Sequence, residues 1–164
     1  MTKKRAIYPG SFDPITNGHV DIIERSLSVF DEVIIVVASS ARKSPLISAD
    51  DRVDLVKSVF KKQRKVIVDR WDGLIMDYAR ERKASAVIRG LRAASDFEYE
   101  FMMAAMNRNL NPDVETLFMM TGQNLFFISS TMIKELFRFG GDVSPYLPPQ
   151  VTRYLSQQRK AGHL

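Results

Sequence analysis

The sequence predicts an α/β protein: a single domain on a parallel sheet of about five strands, with helices on both faces. Three observations carry that expectation. Short apolar segments suited to strands alternate with amphipathic segments suited to helices along the whole chain. The run Val33-Ile34-Ile35-Val36-Val37-Ala38 is apolar on both faces, as a central parallel strand must be. The length of 164 residues, 45% of them hydrophobic and 26% charged, suits one soluble core.

Ala6-Ile7-Tyr8 reads as the first strand. Pro9, Gly10, Pro14 and Gly18 then break the pattern, so Tyr8 to His19 reads as a structured turn that ends the strand. Val20, Ile23, Leu27 and Phe30 recur at helical spacing, which predicts a helix from about Gly18 to Phe30, capped by Thr16 or Asn17. After the Val33–Ala38 strand comes a loop carrying Arg42 and Lys43. Ser48, with Asp51 three residues on, starts a helix whose buried stripe is Val53, Val56 and Phe60. Val66-Ile67-Val68 is a third strand, and a helix over about 74–83 follows Gly73.

Ala86-Val87-Ile88 makes a fourth strand and runs into Arg89-Gly90-Leu91-Arg92. A helix over about 96–110 stops before Pro112, and a fifth strand covers 114–119. Thr121 to Ile128 is a loop. The next helix is capped by Ser129 or Ser130 and closed by Gly140-Gly141, and a last one runs from about Pro148 to Lys160. No repeat, linker or low-complexity segment divides the chain, so residues 1–164 are read as one domain.

Composition narrows the chemistry. No cysteine is present, so disulfides, thiolate metal sites and a cysteine nucleophile are excluded. The only histidines are His19 and His163, which argues against protein-held zinc. The longest aliphatic run is too short to span a membrane, and Pro9-Gly10 interrupts any signal-peptide core, so a cytoplasmic protein is expected. A net charge of +5 favours acidic partners. The basic runs Lys61–Lys65 and Arg153 to Lys160 lack interleaved aromatics, so solvated surface is preferred over nucleic-acid binding. Neither a Gly-x-Gly-x-x-Gly nor a Walker pattern occurs.

The residues that remain share one location. Ligands on a parallel sheet sit at the carboxyl ends of the strands. Ser11 and His19 follow the first strand, Lys43 the second, Arg89 and Arg92 the fourth, and Ser129, Ser130 and Thr131 the fifth. A helix start with free amides is an anion site, and His19 falls in such a first turn. Two arginines at a strand end suit phosphate oxygens. Taken singly, His19 is a capping-turn residue, Lys43 a solvated loop lysine, Met103 a core methionine and Asn107 a surface asparagine.

Together these segments carry a resemblance. Gly10-Ser11-Phe12-Asp13-Pro14-Ile15-Thr16-Asn17-Gly18-His19 resembles the first signature of the nucleotidyltransferase superfamily, and the whole string looks like that of the phosphopantetheine adenylyltransferase family. Ser11 stands where family enzymes carry threonine. Arg89-Gly90-Leu91-Arg92 followed by Asp96-Phe97-Glu98-Tyr99-Glu100 is similar to a further family motif. Ile128-Ser129-Ser130-Thr131-Met132-Ile133-Lys134 looks like the second signature, with Thr131 where a third serine is common. The likeness runs from Arg5 to about Leu147.

The resemblance implies a Rossmann-like nucleotidyltransferase fold and adenylyl transfer from ATP to 4′-phosphopantetheine, giving dephospho-coenzyme A and pyrophosphate. It implies catalytic roles for His19, Lys43 and Arg92. ATP contacts would come from Ser11, Phe12, His19, Gly90, Leu91, Arg92, Glu100, Leu125, Phe126, Phe127, Ile128, Ser129, Ser130 and Thr131. Acceptor contacts would come from Ser11, Lys43, Ile75, Arg89, Met103 and Asn107. It also implies a homohexamer, magnesium held through the nucleotide phosphates and no protein-ligated metal, with coenzyme A a candidate inhibitor and no nucleic-acid or membrane partner. The acceptor phosphate is already anionic near neutral pH, so no general base is needed and charge stabilisation is the task. The rival readings are another small-molecule nucleotidyltransferase, acting on nicotinamide mononucleotide or glycerol phosphate, and a non-catalytic nucleotide- or nucleic-acid-binding module.

Overall fold

The computed structural model describes residues 3–38 and 45–162. Five parallel strands, β1 (Arg5–Gly10), β2 (Glu32–Ala38), β3 (Val66–Trp71), β4 (Ala86–Leu91) and β5 (Glu115–Met120), lie in the order β3-β2-β1-β4-β5. The chain reverses direction across the sheet between β1 and β4, the place where a doubly wound sheet opens a crevice at its strand ends. The α/β expectation with helices on both faces is therefore met.

One face carries α1 (Asn17–Ser26), α2 (Ala49–Val59), α5 (Ser130–Arg138) and α6 (Pro149–Lys160). Their apolar residues, among them Ile22, Val56, Phe137 and Leu155, pack on Tyr8, Ile35 and Ile88. The other face carries α3 (Ile75–Glu81), whose Met76 and Ala79 pack on Ile7, Ile34 and Val87. The alternation of Ile34 and Ile35, each fully buried but on opposite faces, is why β2 reads as a continuous apolar run.

α4 (Ala94–Leu110) behaves differently. Its only buried residue is Glu100, while Tyr99, Phe101, Met102 and Met106 stand 58–63% exposed. This helix leans on the sheet edge through Phe97, whose ring meets Phe118 of β5 edge-on at 5.8 Å.

Several boundaries differ from expectation. β1 does not end at Tyr8 but continues through Pro9 and Gly10, paired with Val36 and Val37 of β2. Its pairing with β4 stops at Ile7, so the missing amide of Pro9 is not required on that side. β4 likewise extends through Arg89, Gly90 and Leu91, so these motif residues form the end of the strand. α1 ends at Ser26, whose hydroxyl donates to the Ile22 carbonyl, and Leu27 to Phe30 form turns. A short 3₁₀ helix at Ser144–Tyr146 was not anticipated. Lys43 and His163 fall outside the described residues.

Candidate active site

The site is assembled at the carboxyl ends of β1 and β4, and the pleat of β4 divides it. Successive side chains of a strand point to opposite faces. Val87 and Arg89 face a cavity of about 520 Å³ on the α3–α4 side. Gly90 faces a smaller one of about 80 Å³ on the α1 side, which also touches Tyr8, His19 and Arg92.

The small cavity is built by the turn after β1. Thr16 is the N-cap of α1, and its backbone N–H donates to Nδ1 of His19 at 3.0 Å. This closes a capping box with histidine in the usual glutamate position. Nδ1 is thus the acceptor, so the proton sits on Nε2, the nitrogen left for the cavity. Phe12 packs against the imidazole at 5.2 Å and itself lies buried, with φ of 47°. Burial, with Arg92 nearby, pulls the His19 pKa down from 6.5 to about 4. The ring is neutral at physiological pH and acts as a donor, not as a cation.

Arg92 supplies the fixed positive charge. Its Nε and Nη2 each reach a carboxylate oxygen of Asp96 at 3.1 Å, and Asp96 also accepts the Arg92 backbone N–H. Burial pushes the Asp96 carboxyl up, but the hydrogen bonds from Arg92 outweigh it and hold its pKa below the usual range. Position 90 is tightly packed: a Cβ there would stand 2.5 Å from Cδ1 of Ile22 and 3.3 Å from the Tyr8 hydroxyl, so a larger residue would have to displace the Ile22 side chain.

The second signature closes the site from α5. Ser129 N-caps the helix by accepting from the Met132 N–H, and Ser130 donates to the Pro14 carbonyl at 2.8 Å. Thr131 is exposed in the first turn. Ile128 lines the small cavity, and the Leu125 carbonyl lies close to Gly18. Phe126 and Phe127 are half exposed, and Phe127 lines a separate apolar hollow with Met132 and Tyr146. Leu91 is buried and places its carbonyl to accept from the Thr121 N–H.

The large cavity brings together Ser11, Ile75, Arg89, Met103 and Asn107. The rest of its wall is mostly apolar, with Trp71, Leu74, Met76 and Met106, and also carries the Asp72 carboxylate and Tyr99. The Trp71 indole donates to the Leu74 carbonyl at 3.0 Å, and Gly73 leaves room for the ring. Arg89 is held rigidly: Nε and Nη2 reach the two Glu100 oxygens at 2.6 Å, and Nη1 donates to the Pro9 carbonyl. Glu100 therefore sits behind Arg89 and lines neither cavity.

Asp13, Arg52, Asp96 and Trp71 have no assignment in the sequence reading. Arg52 is buried and donates to the Ser11 carbonyl at 2.6 Å. Among the described residues there is no cluster of metal-ligating side chains. The nearby carboxylates Asp13, Asp21 and Asp96 are each engaged by amides and cations. That donor set fits a divalent ion carried on substrate phosphates better than one held by the protein. Among the described residues no helix is long and apolar enough to cross a membrane.

Comparison with known proteins gives a consistent result. Residues 7–136 match the cytidylyltransferase-like family model. A phosphopantetheine adenylyltransferase of Thiobacillus denitrificans is 50% identical over 153 residues, covering 93% of this chain and 96% of that protein. One from Desulforudis audaxviator is 52% identical over 152 residues, covering 93% of each. A crystal structure of a Vibrio parahaemolyticus protein described as a nicotinate-nucleotide adenylyltransferase superposes with a TM-score of 0.64. It covers 94% of this chain and 99% of its own at 24% identity, a likeness of fold.

Proposed function

The chain belongs to the cytidylyltransferase-like family and, within it, to the phosphopantetheine adenylyltransferases, and from that premise we infer that it transfers an adenylyl group from ATP to 4′-phosphopantetheine, making dephospho-coenzyme A and pyrophosphate in coenzyme A synthesis. The observation that carries this reading is the pair of cavities on opposite faces of one strand end. The small, polar one suits nucleotide phosphates: a neutral Nε2 donor, a fixed guanidinium and a helix N-terminus converge there. The large, mostly apolar one suits the pantetheine arm, with Arg89 in its lining for the acceptor phosphate.

In this reading the attacking oxygen belongs to the acceptor phosphate and the leaving group is pyrophosphate. His19, Arg92, the Ser129 and Thr131 hydroxyls and Lys43 offset the charge that spreads over the α-phosphate. A magnesium ion carried on the nucleotide phosphates would supply further charge neutralisation beside His19 and Arg92. The reading carries with it a cytosolic setting and coenzyme A as a candidate inhibitor, since it shares the pantetheine arm.

The test is pyrophosphate release from ATP with 4′-phosphopantetheine, run beside nicotinamide mononucleotide. Turnover with the first alone is expected. Turnover with the second alone would move the chain to a different acceptor. Trp71, the chain's one tryptophan, lines the larger cavity. Its fluorescence should therefore change with 4′-phosphopantetheine and barely change with ATP.

The apolar face of α4 supports self-association, for which we propose the homohexamer. A row of half-exposed Phe101, Met102 and Met106 is more apolar surface than a monomer ordinarily leaves in water. Light scattering should give an assembly of several chains. Met102→Glu with Met106→Glu should shift it toward smaller species. A wild-type protein that stays monomeric at micromolar concentration would overturn the proposal.

A further inference from the structure

The Asp13 carboxylate is 3% exposed and sits in the middle of the first signature. It faces no cavity. Its Oδ1 accepts the Ile47 N–H at 2.9 Å, the Leu46 N–H reaches both oxygens at 3.0–3.1 Å, and Nζ of Lys134 donates to Oδ2 at 2.8 Å. Lys134 is itself nearly buried, with a side chain 13% exposed. One carboxylate thus touches three segments distant in sequence: its own turn, the stretch just after Lys43, and α5.

The geometry points to Asp13 and Lys134 as a positioning pair for the transfer, a role that rests on the reading of the site above. Lys134 stands one turn along α5 from Ser130 and Thr131. Spent on Asp13, it holds the α5 start against the first signature, where Ser130 already donates to Pro14. The two amides fasten the Leu46–Ile47 stretch to the first signature. A lysine in a phosphate-facing motif would ordinarily be assigned to the phosphates. Here the shortest contact, and the low exposure of both partners, direct it inward. Removing either charge leaves the other buried, and the segments then lose their shared anchor.

The test separates positioning from phosphate binding and from simple bracing. K134M should lower kcat by ~10- to 100-fold, the order expected when misplacement is about 1 Å. ATP affinity by calorimetry should stay within about threefold, because no contact to the nucleotide is lost. K134R should recover most of the rate. D13N should resemble K134M, and D13N/K134M should be no worse than either, since residues acting as a unit are not additive. Hydrogen exchange at the Leu46 and Ile47 amides should quicken in K134M without any substrate present.

ATP binding weakened as much as kcat in K134M would make Lys134 a phosphate ligand and overturn the proposal. So would a lower melting temperature with unchanged kcat, or unchanged exchange at both amides. Wild-type protein run in parallel separates this from the wider reading: no pyrophosphate release by it would sink the assigned reaction, while the exchange arm still decides the anchor. If D13N fails to fold, K134M and K134R carry the test.

Discussion

His19→Ala is expected to fold, to bind ATP within a few-fold of wild type, and to turn over on the order of 10²–10³ more slowly, the usual cost of one donor lost from a developing oxyanion. The structure sharpens the reason. Nδ1 is occupied by the Thr16 N–H, so the ring can donate only through Nε2, and a pKa of about 4 keeps it neutral. A neutral donor contributes little to ground-state attraction, so its loss should appear in kcat more than in ATP affinity. Asparagine should recover part of the rate, and glutamate should do worse because it repels phosphates. Steady-state pyrophosphate release and ATP titration check all three. A near-normal kcat for His19→Ala would reduce the motif to a capped turn.

The same pKa has a sign. In the unfolded chain the imidazole takes up its proton near 6.5, and in the folded protein near 4. The unfolded state therefore binds more protons between those values. The stability that the neutral ring contributes is complete above about 6.5 and is lost as pH falls toward 4. His19→Ala should flatten that part of the stability profile. The kcat/KM profile of the wild type should lack a limb at the ordinary histidine value.

Arg89→Ala should act twice. It should weaken 4′-phosphopantetheine binding by ~10- to 100-fold, the scale of a lost charge-assisted hydrogen bond, while ATP binding stays largely intact. It should also destabilise the fold, because Glu100, with a side chain 11% exposed, is left without its partner. Breaking a fully buried pair costs about 3–5 kcal/mol; Arg89 is part-exposed, so about 2–3 kcal/mol is expected. Arg89→Ala/Glu100→Ala should regain part of that stability and none of the acceptor affinity. Calorimetry with each ligand and denaturant unfolding measure the two effects. Loss of ATP affinity in preference to acceptor affinity would overturn the assignment of Arg89.

The layout of the sheet was legible because its signals are local. The both-faces-apolar β2, the helical spacing of Val20 and Ile23, and the Ser48 cap each need only a few neighbouring residues. The extension of β1 through Pro9 was not legible, since it depends on which neighbour β1 still pairs with at that point. Likewise, the strand ends gathered Ser11, Arg89, Met103 and Asn107 into one cavity as the motifs suggest. The commitments of their partners could not be read. Glu100 is one turn beyond Asp96 on the same helix, yet it lies behind Arg89 while Asp96 clasps Arg92. The one hint of Asp13's burial was a lone carboxylate between Phe12 and Pro14. That Lys134 answers it requires the fold, because the two are separated by 121 residues.

The alternation at the end of β4 bears on how such a protein could diversify. Arg89 and Gly90 are adjacent in the gene, yet their environments lie on opposite sides of a sheet. A change at position 89, or on the α3–α4 side that shares its cavity, can alter the acceptor while Tyr8, His19 and Gly90 keep their packing. Drift on one face is thereby insulated from selection on the other. A lineage could trade its acceptor by point substitutions without first losing its nucleotide, whereas an inserted residue in this strand would invert the pleat and disable both halves in one step.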